Sequence, residues 1–387
     1  MKIGRLAVSL VLLWLMATPL WALQGHLRAL GSYQDASPAN QQPSQWNSVG
    51  QWRLAESFSP SSSLTLELAA TATGWYRQHP TPYDEATANQ RLDLTHAAND
   101  SHQTLCLTNI DRLNLKWSHG HHLISVGRQA IGFGRIVLNS PLDIIAPFAP
   151  SALITDVRPG IDALRWNFNP TAASQLQAVQ VWGDNSTNNS SVISFEALLD
   201  GGDLLFLTGW LGSRPVLGLG LAGQIAGVGV KLEATSYGGK SEQDAEDVHD
   251  EFTIAAIELD ARLVDDIYLT VDYLFNGCGS PDAEDIPDLL SSAFYQEQRA
   301  YLTGRHYLLA AVSAQLHPLL TLELFTINNL DDQSLLVRPG LTASLSDNLS
   351  MDVHYAFFSG SSPHNASPTS EFGGQGDLAT VYISYYF

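Results

Sequence analysis

The chain is poor in cysteine, in positive charge and in long apolar runs, and each shortage removes a class of protein. Two cysteines in 387 residues do not make a disulfide scaffold. With 19 basic against 39 acidic residues, the chain is a poor binder of nucleic acid or of an anionic membrane surface. Past residue 22 no stretch of about 18 apolar residues runs without a charge or a proline, so no membrane-spanning helix is expected. The nearest approach, 204–230, is broken by Arg214-Pro215 and dotted with glycine. A helical hairpin competes there with two strands, and alternation favours the strands. Leu217, Leu219 and Leu221 share one face, with Gly218, Gly220 and Ala222 on the other. No nucleophile elbow and no zinc-hydrolase helix motif occur, so no enzyme activity and no cofactor are expected. The remaining enzymatic reading is a hydrolase whose triad is scattered over strands.

What is present is alternation. About eighteen segments of roughly ten residues alternate apolar and polar, at 24–33, 46–57, 62–73, 104–117, 122–130, 160–168, 174–182, 191–199, 203–212, 215–224, 227–237, 251–262, 266–275, 304–315, 319–329, 334–345, 348–358 and 377–387. Links after even-numbered segments are short, as at Ser118 to His121 or Ser346-Asp347. Links after odd-numbered ones are often long, including 74–103, 131–159, 276–303 and 359–376. Segregated loop lengths and an even strand count, with both ends on the short-turn side, predict an all-β fold: a transmembrane antiparallel β-barrel of 16–18 strands. Leu105, Leu107, Leu113, Leu115 and Trp117 are expected to face lipid, as are Leu349, Met351, Val353, Tyr355 and Phe357. Ile267, Leu269, Val271, Tyr273 and Phe275 make a third such face. Trp117, Trp166, Phe168, Tyr385 and Phe387 on the short-turn side, and Trp75, Trp182, Trp210 and Phe357 on the other, read as interfacial girdles.

The two ends fit export to an outer membrane. Residues 1–22 carry Lys2 and Arg5, an apolar run from Leu6 to Met16 and a Leu20-Trp21-Ala22 cleavage site, which reads as a signal peptide. One barrel domain, 23–387, follows. From Ala379 to Phe387 every second residue is apolar and the chain stops on a phenylalanine. This ending resembles the C-terminal signature of Gram-negative outer-membrane β-barrels, and the resemblance makes Tyr385 and Phe387 a signal for the barrel-assembly machinery. It also implies contact with outer-membrane lipid and lipopolysaccharide.

About eighteen tilted strands enclose a cylinder roughly 35 Å across, too wide for side chains to fill. The link 131–159 is the candidate filling. Its centre, Pro141 to Pro150, is too apolar for a solvated loop, and Ile144, Ile145 and Phe148 need a surface to pack on. A lid on the outside, or a dimer contact, is the alternative. Gly127-Arg128-Gln129, the run from Arg158 to Arg165, Asn329 to Ser334 and Ser346-Asp347-Asn348 resemble porin-like families that carry an inward constriction loop. That resemblance implies a channel for passive diffusion of small hydrophilic solutes or ions, narrowed by a loop bearing Arg135, Asp143, Ile144, Phe148, Asp156 and Arg158. A homotrimer is a further expectation, with the glycine-rich 215–230 pair allowing close approach.

Alternation places Arg112, Lys116, Arg165, Arg262, Asp272, Glu323, Arg338 and Asp352 on the lumen. Arg128 falls with Ile124 and Val126 on the outer face unless Gly127 bulges. Opposed charged walls would set a transverse field; pairing between neighbouring strands is the bland alternative. The acidic runs Glu242–Glu251 and Asp282–Asp288 read as a cation-attracting mouth or as plain solvated loops. His119-Gly-His121-His122 lacks a fourth ligand nearby, so no metal is expected. Cys106 and Cys278 lie on opposite walls, which argues against a bridge. The alternatives to a channel are a non-conducting structural or adhesin barrel and the hydrolase. An exporter of acidic polysaccharide would need a basic excess that the lumen assignment does not show.

Overall fold

A computed structural model describes residues 23–38, 42–79, 88–101, 103–240, 247, 250–364 and 367–387. The expected signal peptide lies outside the described residues, as do Glu242, Asp244 and Glu246. The chain forms a closed antiparallel barrel of 18 strands with one extra strand. In chain order the strands are β1 (Gln24–Gln34), β2 (Gln45–Ser61), β3 (Leu64–Arg77), β4 (Thr95–Asp100), β5 (Thr104–His119), β6 (His122–Gln129), β7 (Ile161–Thr171), β8 (Ser174–Val181), β9 (Ser190–Leu199) and β10 (Gly202–Leu211). They continue as β11 (Arg214–Ile225), β12 (Val228–Tyr237), β13 (Phe252–Val264), β14 (Ile267–Asn276), β15 (His306–His317), β16 (Leu320–Asn329), β17 (Leu335–Ser346), β18 (Leu349–Ser359) and β19 (Leu378–Tyr386). Short helical turns, Ile286–Ser291 and Ala293–Gln296, sit in the loop after β14.

Closure is made by β19 on β1, from His26 opposite Tyr386 to Gln34 opposite Leu378. Gly25 and Phe387 exchange both backbone hydrogen bonds, at 3.0 and 3.1 Å. The Phe387 ring packs on a small cluster of Leu23, Leu54, Ala70, Leu94 and Ile110. Closure of β19 on β1 removes the two end edges of the wall, so its strands pair within the sheet, which hydrocarbon surroundings require. The outward residues Leu115, Trp117, Leu217, Leu219, Val353, Val381 and Ile383 are exposed apolar side chains that water would not favour and lipid does.

Two expectations about faces are corrected. Asp111 is an extra residue in β5: Ala70 opposes Ile110 and Ala69 opposes Arg112. A bulge of one residue flips the side chains on one side of it. Leu113, Leu115 and Trp117 face lipid as expected, but Cys106 is the exposed residue higher up and Leu107 is buried. Trp75 shares its face with Thr71 and Thr73, whose side is the lumen, and Tyr76 takes the membrane position at 47% exposure.

β4 was not expected. It exists because β6 is short: its pairing with β7 ends at Gln129 opposite Ile161, where the chain turns off the wall. The lower half of β5 pairs with β6, and the upper half, left without that neighbour, pairs with β4. Below β4 the segment 88–94 is stitched into the same gap. The backbone N–H of Asp162 donates to Asn89 O at 3.0 Å, and the N–H of Leu92 donates to the Asp162 carboxylate at 2.8 Å. Arg128 keeps the outer-face parity of Ile124 and Val126 but is 1% exposed beneath this patch. Its guanidinium bonds Asp162 at 2.9 and 3.0 Å and donates to Ile110 O and Leu92 O.

Removing the partner of a buried cation leaves its charge uncompensated. Asp162→Ala is therefore expected to cost about 3–5 kcal/mol and to open 88–94 to protease in the folded barrel. Denaturant midpoints of the two barrels, with digestion patterns, check this.

Candidate functional site: the constriction loop and its two walls

The link 131–159 folds into the lumen, and wall carboxylates hold it there. Glu233 on β12 accepts the backbone N–H groups of Arg135, Ile136 and Leu142 and the Ser140 hydroxyl. Glu258 on β13 accepts those of Val137 and Leu138, at 2.8 and 3.1 Å. Five amides that no strand satisfies thus meet two buried anions, and charge-assisted bonds of this kind are stronger than neutral ones. Lys231 stands beside them, 2.6 Å from Glu258 and 3.4 Å from Asp260.

Apolar packing completes the seat. Ile131, Phe133, Ile136, Leu142, Ile144 and Ile145 are buried against inward residues such as Leu205, Leu207, Val216 and Ile254. Leu142 lies over Gly218 and Gly220, where an added Cβ would come within 2.6 Å of its methyls. The glycine face of β11 thus looks inward, toward this leucine, and Leu217, Leu219 and Leu221 look out. Beyond Leu142 the loop crosses the lumen. Arg338 on β17 donates to Ser151 O, Arg28 on β1 pairs with Asp156 at 3.0 Å, and Arg112 donates to Arg158 O at 2.8 Å.

Every expected loop residue has a place in this arrangement. Arg135 pairs with Glu196, Ile144 is 2% exposed, and Phe148 lies 5.0 Å beneath the Arg158 guanidinium. Arg158 also binds Asp143 and Ala146 O. Burial raises the Asp143 carboxyl to about 6 against the pull of Arg158, with Glu233 adding in the same direction. Asp156 goes the other way: burial pushes its carboxyl up, but the hydrogen bond and the charge of Arg28, with smaller contributions added, together hold it below the ordinary carboxylate range.

The expected lumen charges are unevenly spread round the wall, basic ones leading on β1–β7 and acidic ones on β12–β18, where Arg338 on β17 is an exception. Arg112, Lys116 and Arg165 stand on β5 and β7, with Arg28 on β1 and Arg53 on β2 continuing the basic side. Asp272, Glu323 and Asp352 stand on β14, β16 and β18, with Glu233 and Glu258 on the same acidic side. Pairing between neighbours also occurs: Lys116 with Glu67, Arg53 with Asp111 at 2.8 Å, Arg112 with Asp111 at 3.3 Å, and Thr342 with Asp352 at 2.6 Å. Glu323 is exposed to the lumen, whereas Asp272 is fully buried opposite Glu258. Arg262 stands apart; it donates to Asp265 O in the turn after β13 and so lies at the rim. Arg28, Arg53 and Glu233 belong to the site but were not singled out from sequence, although each sits on the polar face of an alternating strand.

A gap opens between the loop and β16–β17. A space of about 320 Å³ is lined by Ser140, Asp143, Pro147, Phe148 and Arg158 from the loop and by Phe325 and Arg338 from the wall. Arg338 stacks over Phe325 at 4.8 Å. Above it, a pocket of about 560 Å³ opens toward the long loops, and the two share Pro150 and Arg338. The pocket is capped by the loop after β14 and by 367–377, tied together at Glu371. That carboxylate accepts from Tyr307 at 2.6 Å, Asn329 at 3.0 Å and Thr303 N–H at 2.9 Å, and burial raises its pKa.

The remaining sequence candidates have structural roles. His121 bonds Asn169 O at 2.7 Å, His122 stacks on Trp166 and Phe168, and His119 stacks on Trp117. No group of three metal-capable side chains occurs among the described residues. Cys106 and Cys278 are both free. Asp247 is buried and pairs with Arg214 at 3.5 Å and Lys240 at 2.7 Å.

No family model and no curated protein sequence matches the chain. Solved structures do. OccAB4 of Acinetobacter baumannii aligns with TM-score 0.61 at 8% identity, over 94% of this chain and 97% of that one. OccK2 (OpdF) of Pseudomonas aeruginosa, in complex with glucuronate, gives 0.60 at 10% identity, over 95% and 97%. OpdK of Pseudomonas aeruginosa with vanillate gives 0.58 at 9% identity, over 95% and 99%. The fold is that of these Gram-negative outer-membrane porins.

A side chain at Gly218 would meet both Leu142 and Leu207. Gly218→Val is expected to lower barrel stability by about 1–3 kcal/mol and to displace the loop. The shift in unfolding midpoint in detergent measures it.

Proposed function

We propose that the protein is a porin-like channel that lets small hydrophilic solutes or ions cross the outer membrane by passive diffusion, with no covalent chemistry. The observation that carries this reading is the partial filling of the lumen. The loop leaves a space lined by both loop and wall, and a larger pocket lies beside it, the two having Pro150 and Arg338 in common. A plug built to seal would bury these groups against each other. The fold likeness to Occ channels, two of them solved with the carboxylates glucuronate and vanillate, supports the same reading. Export by the 1–22 signal, recognition of the Phe387 strand by the assembly machinery and a homotrimer accompany it.

Basic groups lead on β1–β7 and acidic ones on β12–β18, with Glu67, Asp111, Lys231 and Arg338 as counter-charges, so the net field of the lumen runs across the path. Such a field orders water and disfavours apolar solutes, and the ring charges set ion preference.

The test is a planar bilayer holding the folded chain under a tenfold salt gradient. Stable steps with a defined reversal potential are expected; a folded barrel that stays silent would favour the structural reading. Replacing Arg112 and Lys116 by Glu is expected to shift the reversal potential toward cation preference. An unchanged value would remove these two residues from the filter.

A pH series tests the loop itself. Asp143, with its pKa raised to about 6 by burial, takes up a proton in the folded state well above its unfolded value near 4. This group therefore favours the folded state more as pH falls from about 6 toward 4, while Arg158 loses its ionic partner over the same window. The constriction gains positive charge, and the expected result is a drift toward anion preference centred near pH 6. In Asp143→Asn that drift should be absent.

A further inference from the structure

The pocket above the constriction is more elaborate than a water-filled mouth requires. Its upper part is apolar, from Pro150, Ile286, Leu290 and Phe372. Its floor is polar, with Arg338, His354 and Thr380. At about 560 Å³ it lies in the range of sites that hold small molecules.

His354 is the unusual residue. It is 7% exposed, and its Nε2 has no hydrogen-bond partner. A buried polar atom left unpaired costs free energy comparable to a lost hydrogen bond, so it needs an explanation. The ring is not free to find a partner by turning. It stacks on Tyr382 at 5.9 Å and 16°, and its Nδ1 edge lies against Gly340, where a Cβ would come within 2.3 Å. Nε2 is therefore held on the side away from Gly340. Thr380 stands directly opposite His354 in the β18–β19 register. Arg338 is fixed nearby by its stacking on Phe325 and its bond to Ser151 O.

Charge narrows the ligand. Among the lining side chains Arg338 is the cation and Glu371 the carboxylate, and Asp352 lies two residues from His354 on the same face of β18. At the floor, Arg338 on β17 is met by Glu323 on β16 and Asp352 on β18, both close enough to act on Arg338 or His354, so there is no excess of positive charge to reward an anion. A hydroxyl suits it better, because it can accept from Arg338 and either donate to or accept from Nε2, whichever ring nitrogen carries the proton.

We propose that this pocket is a binding site for a neutral amphipathic solute with a ring-sized apolar body and a hydroxyl head, held head-down on His354 and Arg338. The body lies against Ile286, Leu290 and Phe372. The site stands on its own geometry; only the statement that its ligand then passes the constriction rests on the channel reading.

The experiment is isothermal titration calorimetry of the full chain folded in nanodiscs, with empty nanodiscs as the blank. Three probes of similar ring size are compared: 4-hydroxybenzyl alcohol, 4-hydroxybenzoate and myo-inositol. The alcohol is expected to bind one to one and more tightly than the other two. His354→Phe keeps an aromatic ring for the stack and removes both nitrogens; Thr380→Val keeps the shape and removes the hydroxyl. Each should weaken the alcohol about tenfold, in barrels shown to be folded by heat-modifiable migration. Tighter binding of the benzoate, equal binding of inositol, or unchanged affinity in both variants would overturn the proposal. Binding to an electrically silent barrel would count against the channel alone, and a conducting barrel that binds none of the probes would count against the site alone.

Discussion

The arrangement depends on two carboxylates accepting backbone amides. A loop that leaves the wall and crosses the lumen carries N–H groups with no strand to pair with, and an unpaired buried amide is costly. Glu233 and Glu258 meet five of them, and a further bond joins the Thr235 hydroxyl to Pro141 O at 2.8 Å. The apolar packing of Leu142 on the glycine face of β11 is strong but non-directional. The carboxylates supply direction, and they fix which residues of the loop face the open space. Arg158, Asp143 and Phe148 can then be presented to Arg338 and Phe325 across a defined gap.

Sending a strand's continuation inward has a consequence for the wall. β6 ends early, and the upper half of β5 would expose a row of unpaired groups to hydrocarbon. β4 and the segment 88–94 cover that edge. The buried pair of Arg128 with Asp162 ties the patch to the strands on either side of the departure point. The constriction and the patch are thus one solution: the chain removed from the wall is replaced by chain from the preceding loop.

Much of this was legible in the alternation. All eighteen expected strands are present, because a barrel wall in lipid imposes period two on every segment. The inward loop was legible for the opposite reason, since Pro141 to Pro150 is apolar without period and must pack somewhere. The misses have local causes. The Asp111 bulge leaves no mark in a pattern that reads equally well in either register, so Leu105 and Leu107 were placed on the wrong face. β4, Thr-His-Ala-Ala-Asn-Asp, has no alternation and pairs only because an edge was vacated. The glycine-rich 215–230 pair read as room for close approach between barrels, with no side assigned to Gly218 and Gly220. They make room for Leu142, a contact between residues far apart in sequence that no local pattern encodes. Arg262 has lumen parity, but parity says nothing about height, and the turn carbonyl of Asp265 holds it at the rim.

The most direct test of this account is the single-channel conductance of the Glu233→Ala, Glu258→Ala double variant beside the unaltered chain, both as folded, heat-modifiable barrels. If the two carboxylates hold the loop across the lumen, the variant should show larger and noisier steps with weakened ion preference. Steps of the same size and selectivity would mean that packing alone holds the loop, and would contradict the account.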